Sequence, residues 1–509
     1  MSEPEKVSAP ENVSAPEQFD VIVVGGGPAG STLASLVRMK GARVLLLERE
    51  VFPRYQIGES LLPATVHGVC RLLGVTDVLA AAGFPVKRGG TFRWGARKQA
   101  WTFSFAVSPR VASPTSYAYQ VERSKFDKIL LDNAVRLGVD VRQGHTVTGI
   151  IEAGERVQGV RFTGPDGTEG RATARFVVDA SGNTSRLHPN TGGRREYSQY
   201  FRSLALFGYF EGGKRLPEPI SGNIVSAAFD SGWFWYIPLS STLTSVGAVV
   251  HRSMAEKVQG DPETALNALI KECPMIDDLL ENATRVTSGQ YGKLRVRKDY
   301  SYHNTRFWRP GLILIGDAAC FVDPVFSSGV HLATYSALLA ARSINSILAG
   351  TVAEEPALHE FEARYRREYS VFYEFLTSFY QMNRDEDSYF WEAKRITRSE
   401  HYTEFESFVE LVAGVASGET ALSDAQSMVE HLTKRADELA SAVEDVAGGE
   451  PGGASAMLRS SVVKQAMHEG SQVQMRALLG EAAVREAPLF PGGLVPSLDS
   501  LTWEPSAPA

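Results

Sequence analysis

The stretch VIVVGGGPAGS, residues 21–31, decides how the rest of the chain is read. A β-branched run ending in glycines reads as a buried parallel strand, here FDVIVV over 19–24. Residues 28–39 follow as a helix and ARVLLLE, 42–48, as a second strand, which makes a βαβ unit. Gly25, Gly27 and Gly30 stand in GxGxxG spacing across the first turn. Gly25 permits the tight turn, Gly27 lets backbone approach a pyrophosphate, and Gly30 lets the helix pack on the strand. The helix N-terminus, with Pro28 and Ala29 in its first turn, offers N–H groups and positive potential to phosphates. Glu48 closes the second strand 18 residues after Gly30, where a carboxylate accepts hydrogen bonds from ribose hydroxyls, and Arg49 follows it. With both strands and the acid in place, the fingerprint predicts dinucleotide binding in an α/β fold. It leaves FAD and NAD open.

The surrounding composition excludes several classes. Across 509 residues, 52 Lys and Arg stand against 59 Asp and Glu, a net charge of −7, which argues against a dedicated nucleic-acid binder. Hydrophobic residues at 43% and charged residues at 22% exclude a mainly disordered chain. No apolar run reaches the roughly 18–20 residues of a membrane span. Cys70, Cys273 and Cys320 are too far apart for a disulfide framework or a CxxC metal site. The ten histidines form no HxxxH or HExxH pair, so no metal site is expected.

Residues 1–18, with VSAPE twice, are polar and Pro-rich and read as a disordered leader. They carry no apolar segment of a secretory signal, so the cytoplasm is the expected location. From 19 to about 355 the chain reads as one body. Its nucleotide-binding parts fall at about 19–85, 120–185 and 298–350, and include the helix KFDKILLDNAVRLG (125–138) and the returning strands ARFVVDASG (174–182) and GLILIGDAA (311–319). Between them, about 86–119 and 190–297, TFRW, WTFSFAV, FRSLALFGYF, SGWFWYIPL and LTSVGAVV alternate as strands of a second, mostly antiparallel sheet. The fold class is therefore a discontinuous Rossmann-like domain with an inserted sheet. Residues 356–509 form a mostly helical C-terminal region, with helical spacing at 357–382, 401–416, 420–446 and 455–480, a turn or linker at 448–454 and an irregular last stretch of about 20 residues.

LILIGDAAC, 312–320, resembles the second FAD motif of the flavin monooxygenase superfamily, which implies that Asp317 binds the flavin ribityl chain. Arg123 in YQVERSKFDKILL matches a flavin-contacting arginine of that superfamily. Asp317 also has a plain structural reading as a helix cap. The resemblance implies FAD, held noncovalently because no motif suggests a flavin-linking residue.

Three further features separate the members of that superfamily. SGWFWYIP, 231–238, carries GWxWxIP, so the chain resembles the flavin-dependent halogenases. The resemblance implies that Trp233 and Trp235 wall off the flavin and deny a substrate direct access to its C4a-hydroperoxide. On pattern alone they are two same-face aromatics of a strand core. Lys87 in FPVKRGGTFRWG matches the family's essential lysine, which implies presentation of electrophilic halogen by a hydrogen bond to hypohalous acid or as a chloramine. Burial of such an amine lowers its pKa and favours the neutral form. Without the motif, a surface lysine beside Arg88 is the plainer reading. FVDPVFSSG, 321–329, fits FxxPxxSxG, and the N–H groups of Ser328 and Gly329 at a helix N-terminus suit a halide. Ser327 or Ser328 could equally cap that helix. Gly58-Glu59-Ser60 resembles a GES element that halogenases share with some flavin reductases.

The resemblance spans about 19–395, including NRDEDSYFW at 383–391, and is nearest to the phenol and pyrrole branch. It implies reduced FAD supplied by a separate reductase, chloride as co-substrate, and chlorination of an electron-rich aromatic in secondary-metabolite biosynthesis. The expected substrate is a phenol or tyrosyl group, free or tethered to an acyl or peptidyl carrier protein. Tryptophan halogenases carry a glutamate immediately before the serine of the halide motif, where this chain has Phe326. A phenol needs less activation, because its hydroxyl directs attack to the ortho carbons. Two other readings stay open at this point. An aromatic hydroxylase or flavin reductase would oxidise NAD(P)H alone and ignore halide. A non-enzymatic flavin-bound partner protein would turn over nothing. The aromatics of the helical region, from Tyr369, Phe372, Tyr373, Phe375, Phe379 and Tyr380 to Tyr389, Phe390 and Trp391, read as amphipathic packing, with a lid as the alternative.

Overall fold

The computed structural model describes residues 16–95, 99–111, 114–298, 300–381, 386–397, 403–423 and 488–506, with the side chains of 386–391 left aside. Most of the leader, the helices expected at 420–446 and 455–480, the linker at 448–454 and the start of NRDEDSYFW lie outside the described residues.

Among the described residues, five parallel strands form the nucleotide-binding sheet, in the order Leu312–Leu314, Glu169–Asp179, Glu17–Val24, Val44–Glu48, Asp140–Gln143. Val21, Ile22 and Val23 are fully buried, as a β-branched run between two parallel neighbours requires. The first strand begins at Glu17, inside the stretch expected to be disordered leader. Glu17 and Gln18 pair in register with Ala172 and Thr173, and Arg142 grips the Glu17 carboxylate with two bonds of 2.7 Å. Polar composition therefore did not prevent order where a ladder and an ion pair were waiting. The helix Pro28–Met39 packs against the helices Arg123–Arg136 and Ser328–Ala349 on one face of this sheet.

The inserted sheet runs Thr284–Arg285, Ser203–Glu211, Leu243–His251, Gly232–Pro238, Ile224–Phe229, Gly89–Arg93, Trp101–Ser104, antiparallel except where Ile224–Phe229 meets Gly89–Arg93. Two short strands that fall within the approximate bounds of the inserted sheet stand apart from it. Val86–Lys87 pairs with Ala118–Tyr119 as a separate ladder, because the chain turns away before Gly89. Arg195–Tyr197 pairs with Tyr302–Asn304, which in turn meets Cys320–Phe321, so this piece joins the segment leading out of the flavin motif.

The long helix Glu354–Gln381 lies against Ser328–Ala349 and buries Tyr365, Phe372, Phe375 and Phe379. Its interior aromatics are packing residues. The last stretch expected to be irregular contains a two-stranded hairpin, Leu494–Pro496 with Trp503–Pro505. The hairpin returns to the nucleotide-binding body, where the Trp503 backbone N–H donates to Ser346 at 2.7 Å and Asn345 donates to the Leu501 carbonyl at 2.9 Å. Strands of three residues are too short for a periodicity to register. No described helix is long and apolar enough to cross a membrane.

Candidate active site

A cavity of about 1010 Å³ opens where the fingerprint turn meets the second sheet. Gly25, Gly27, Pro28, Ala29, Glu48, Arg49, Arg123, Asp317, Gly329 and Trp235 all line it. Gly30, Ser328, Trp233 and Lys87 do not. Gly30 works behind the wall, where a Cβ would sit 1.9 Å from the Gly25 carbonyl oxygen. Gly25 itself has φ +104°, and a Cβ there would meet the Ala180 carbonyl at 2.6 Å. The turn is thus held at two glycines by backbone on every side.

Glu48 is buried at the end of its strand. Its Oε2 accepts from the Gly26 N–H at 2.6 Å and its Oε1 from the Glu50 N–H at 2.8 Å. Each oxygen keeps a further lone pair for a ribose hydroxyl. Arg49 is largely exposed at the rim. Arg123 is locked by two bonds to Asp127, of 2.7 and 3.0 Å, and donates to the Ile57 carbonyl at 2.6 Å. Asp127 also holds Arg54 at 2.8 Å, so one buried carboxylate fixes two arginines at the cavity wall. Burial pushes the Asp317 carboxyl up to about 6, against the pull of Arg123, Arg195 and Arg297. Asp317 lies inside the turn Gly316–Ala318, whose cap position is Ile315, so the capping alternative falls away. Glycines at a helix N-terminus, a strand-end acid and a cluster of arginines, all on one cavity wall, fit a dinucleotide of the FAD type.

Trp233 and Trp235 alternate with Phe234 and Tyr236, so both indoles face the same side of the sheet. Their rings lie 6.2 Å apart. Trp235 forms cavity wall, and its Nε1 donates to Ser245 Oγ at 3.2 Å. Gly247 on the neighbouring strand makes room for it, since a Cβ there would lie 2.2 Å from the indole. Trp233 is 2% exposed, one step deeper, against Trp94 at 6.0 Å.

Lys87 is 2% exposed, which removes the surface-lysine reading. Its Nζ donates to the Leu61 carbonyl at 2.9 Å and sits 5.6 Å from the Phe105 ring centre. Desolvation pulls its pKa down to about 7. The GES run links the two places: Gly58 lines the cavity, and Leu61, three residues on, holds the lysine.

Ser327 has φ 61° and makes no side-chain cap of the helix Ser328–Ala349. The Ser328 hydroxyl is buried at that N-terminus without a hydrogen-bond partner. The capping alternative is therefore not what the serines do, and an unpaired donor is left where an anion is favoured. Phe326 beside them is packed by Phe375 at 5.2 Å, Phe379 at 4.8 Å and Phe92 at 5.8 Å.

Several residues of this region carry no motif and escaped the sequence reading. Arg54, Tyr55, Arg297 and Tyr300 line the cavity, and Ser245 braces Trp235. Arg54 and Tyr55 lie beside the GES run and Asp127 four residues after Arg123, a legible signal. The others arrive from distant strands.

A family model described as tryptophan halogenase matches residues 20–112 and 108–439, and the chain belongs to that family. It is 33% identical over 413 residues to a tryptophan 2-halogenase of Chondromyces crocatus, across 80% of this chain and 77% of the relative. The structure of the myxobacterial chondrochloren halogenase CndH, an FAD-dependent halogenase, matches with 52% identity over 96% of this chain and 100% of the other, at a TM-score of 0.73. The flavin-dependent brominase Bmp2 matches with 26% identity over 83% and 100%, at a TM-score of 0.69. The protein is accordingly an FADH2-dependent halogenase, an oxidoreductase that uses oxygen and halide.

Proposed function

We propose that the enzyme chlorinates an electron-rich aromatic ring, a phenol or tyrosyl group, free or tethered to an acyl or peptidyl carrier protein. A separate reductase delivers the reduced flavin. Bound reduced FAD and oxygen supply the oxidant that turns chloride into hypochlorous acid. The chain's own residues do the rest. Gly25, Gly27, Glu48, Arg123 and Asp317 orient the cofactor. The Ser328 hydroxyl and the N–H groups of Ser328 and Gly329 hold chloride. Trp233 and Trp235 keep the aromatic substrate from the flavin and leave passage to the small oxidant. Lys87 takes the oxidant at its amine, by donating a hydrogen bond or by forming an N–Cl bond, and presents chlorine to the ring. Excluding water along this route keeps the oxidant from being lost.

The observation that carries the phenol reading is Phe326. Its position, beside the serines, holds a ring packed among Phe92, Phe375 and Phe379 and no carboxylate that could assist an indole. Mass spectrometry tests the reading, with reduced FAD, oxygen and chloride given free tyrosine, a carrier-bound tyrosyl group, simple phenols and tryptophan. Chlorinated phenol or tyrosyl product supports it. Chlorotryptophan as the main product overturns the substrate class, and hydroxylation without halogen overturns the chemistry. Equal rates on free and tethered tyrosyl groups remove the carrier.

A further inference from the structure

Glu59, at the centre of the GES element, is 2% exposed and has no basic side chain bonded to it. Its Oε1 accepts from the Tyr209 hydroxyl at 2.7 Å. The Tyr209 oxygen lies 2.8 Å from the Tyr55 hydroxyl, and Tyr55 forms part of the flavin cavity wall. Three oxygens thus run in an unbroken line from a buried carboxyl to the cavity. Glu59 Oε2 has no hydrogen-bond partner, and after Tyr209 the Ser245 hydroxyl that braces Trp235 gives the next help to its charge. Arg123 and Glu122 act on Glu59 from the helix Arg123–Arg136 and its cap, and the Tyr291 ring lies tilted against Tyr209 at 4.4 Å with its own hydroxyl on Glu122. Arg295 covers the Tyr55 ring at 3.6 Å, and Arg297 adds positive charge at that hydroxyl.

We propose that Glu59, Tyr209 and Tyr55 form a proton relay that feeds the flavin cavity. The established chemistry needs one. Converting FADH2, O2 and Cl− to FAD, HOCl and H2O consumes one proton, and the site must supply it while bulk water is kept out. With Glu59 protonated, its O–H donates to Tyr209, Tyr209 donates to Tyr55, and the Tyr55 hydroxyl points its hydrogen into the cavity. Loss of that hydrogen is refilled from Tyr209, and Tyr209 from Glu59, which is left as carboxylate. The bond pattern then reverses to the one seen, with Tyr209 donating to Glu59. No electrons move, and Glu59 regains its proton from water through the same two hydroxyls, Tyr55 lying at the cavity. Burial pushes the Glu59 carboxyl up to about 7, which brings its protonated form within reach at neutral pH.

The test uses the full-length enzyme with FAD reduced without oxygen, then mixed with oxygen and chloride and a chemical trap for hypochlorous acid. No aromatic substrate is present, so the result does not depend on the substrate reading. Glu59→Gln and Tyr209→Phe are each expected to slow trapped oxidant and flavin reoxidation by roughly a hundredfold, while FAD dissociation constants stay within about threefold of wild type. Glu59→Asp is expected to recover part of the rate. Infrared spectra of the enzyme with oxidised FAD supply a readout apart from turnover. A protonated-carboxyl band that titrates near neutral pH is expected in wild type, absent in Glu59→Gln and shifted in Tyr209→Phe. Wild-type rates in both variants, or no such band lost in Glu59→Gln, would overturn the relay. So would loss of FAD affinity in proportion to the loss of rate, which would mark the three residues as scaffold.

Discussion

The Nζ of Lys87 lies 2.9 Å from the carbonyl oxygen of Leu61, inside a protein interior that leaves the side chain 2% exposed. A buried amine held by a neutral carbonyl is destabilising as a cation and useful as a base or nucleophile. Lys87→Met keeps the volume and removes the nitrogen. Halogenation is expected to fall by about a hundredfold or more while FAD still binds. Stability should not fall with it. Because burial lowers the folded pKa to about 7 from 10.5, the unfolded chain binds the extra proton between those values, and wild-type stability gains as pH rises through that window. Lys87→Met should lose this gain. Denaturant melts of both proteins from neutral to alkaline pH check the sign, and product mass checks the chemistry.

The fingerprint turn makes a sharper structural demand. A Cβ at residue 30 would lie 1.9 Å from the Gly25 carbonyl oxygen and 3.2 Å from the Ala180 side chain. Neither neighbour can swing aside, since both belong to the turn and the adjoining strand end. Gly30→Ala is expected to destabilise the protein by about 1–3 kcal/mol and to displace the helix start that faces the cofactor. Flavin content after purification and thermal unfolding measure the two effects. A variant with full flavin content and an unchanged melt would show that the turn tolerates the methyl.

Glu410 offers a pH test away from the flavin. It sits on the helix Glu404–Ala413 with Arg110 Nε at 3.4 Å and Ser108 Oγ at 3.5 Å. Burial dominates over the arginine and raises the carboxyl from 4.5 to about 7. A raised carboxyl binds its proton more tightly in the folded state, so its stabilising contribution is full below about 4.5 and is lost as pH rises to about 7. Glu410→Gln, which cannot ionise, should remove that part of the pH dependence. The difference between wild-type and variant melting temperatures should therefore fall across this window. A constant difference would mean that the carboxyl titrates as it does in water.

What could be read from sequence follows from distance along the chain. The turn at Gly25–Gly30, the tryptophan pair and the serines before the helix at Ser328 are each complete within a dozen residues, and their spacing carries their geometry. Glu59 and Tyr209 are separated by 150 positions, so no local pattern joins them. Val86–Lys87 pairs outside the inserted sheet, and a strand of two residues carries no alternation from which its neighbour could be read. The Trp503 hairpin was hidden for both reasons, being short and anchored far upstream.

That hairpin leads to the last expectation. Trp503 is 1% exposed, its indole N–H donates to Ser343 Oγ at 2.9 Å, and Arg342 and Arg364 lie 5.1 and 5.2 Å from its ring. Arg342 is itself paired through both terminal nitrogens to Glu419, each bond 2.8 Å, and Arg364 to Glu360 at 2.7 Å. One aromatic ring therefore ties the end of the chain, the helix Ser328–Ala349, the helix Glu354–Gln381 and the segment around Glu419. Trp503→Ala leaves a large void beneath two arginines and removes one donor from Ser343, whose hydroxyl keeps its bond to the Ala357 carbonyl at 2.7 Å. It is expected to cost about 3–5 kcal/mol. The flavin cavity does not include Trp503, so FAD affinity measured well below the melting point should stay near wild type. A loss of less than about 1 kcal/mol would be a surface-like effect and would show that the hairpin is not a structural tie. A large loss confined to FAD affinity, with the unfolding curve unchanged, would place its influence at the cofactor instead.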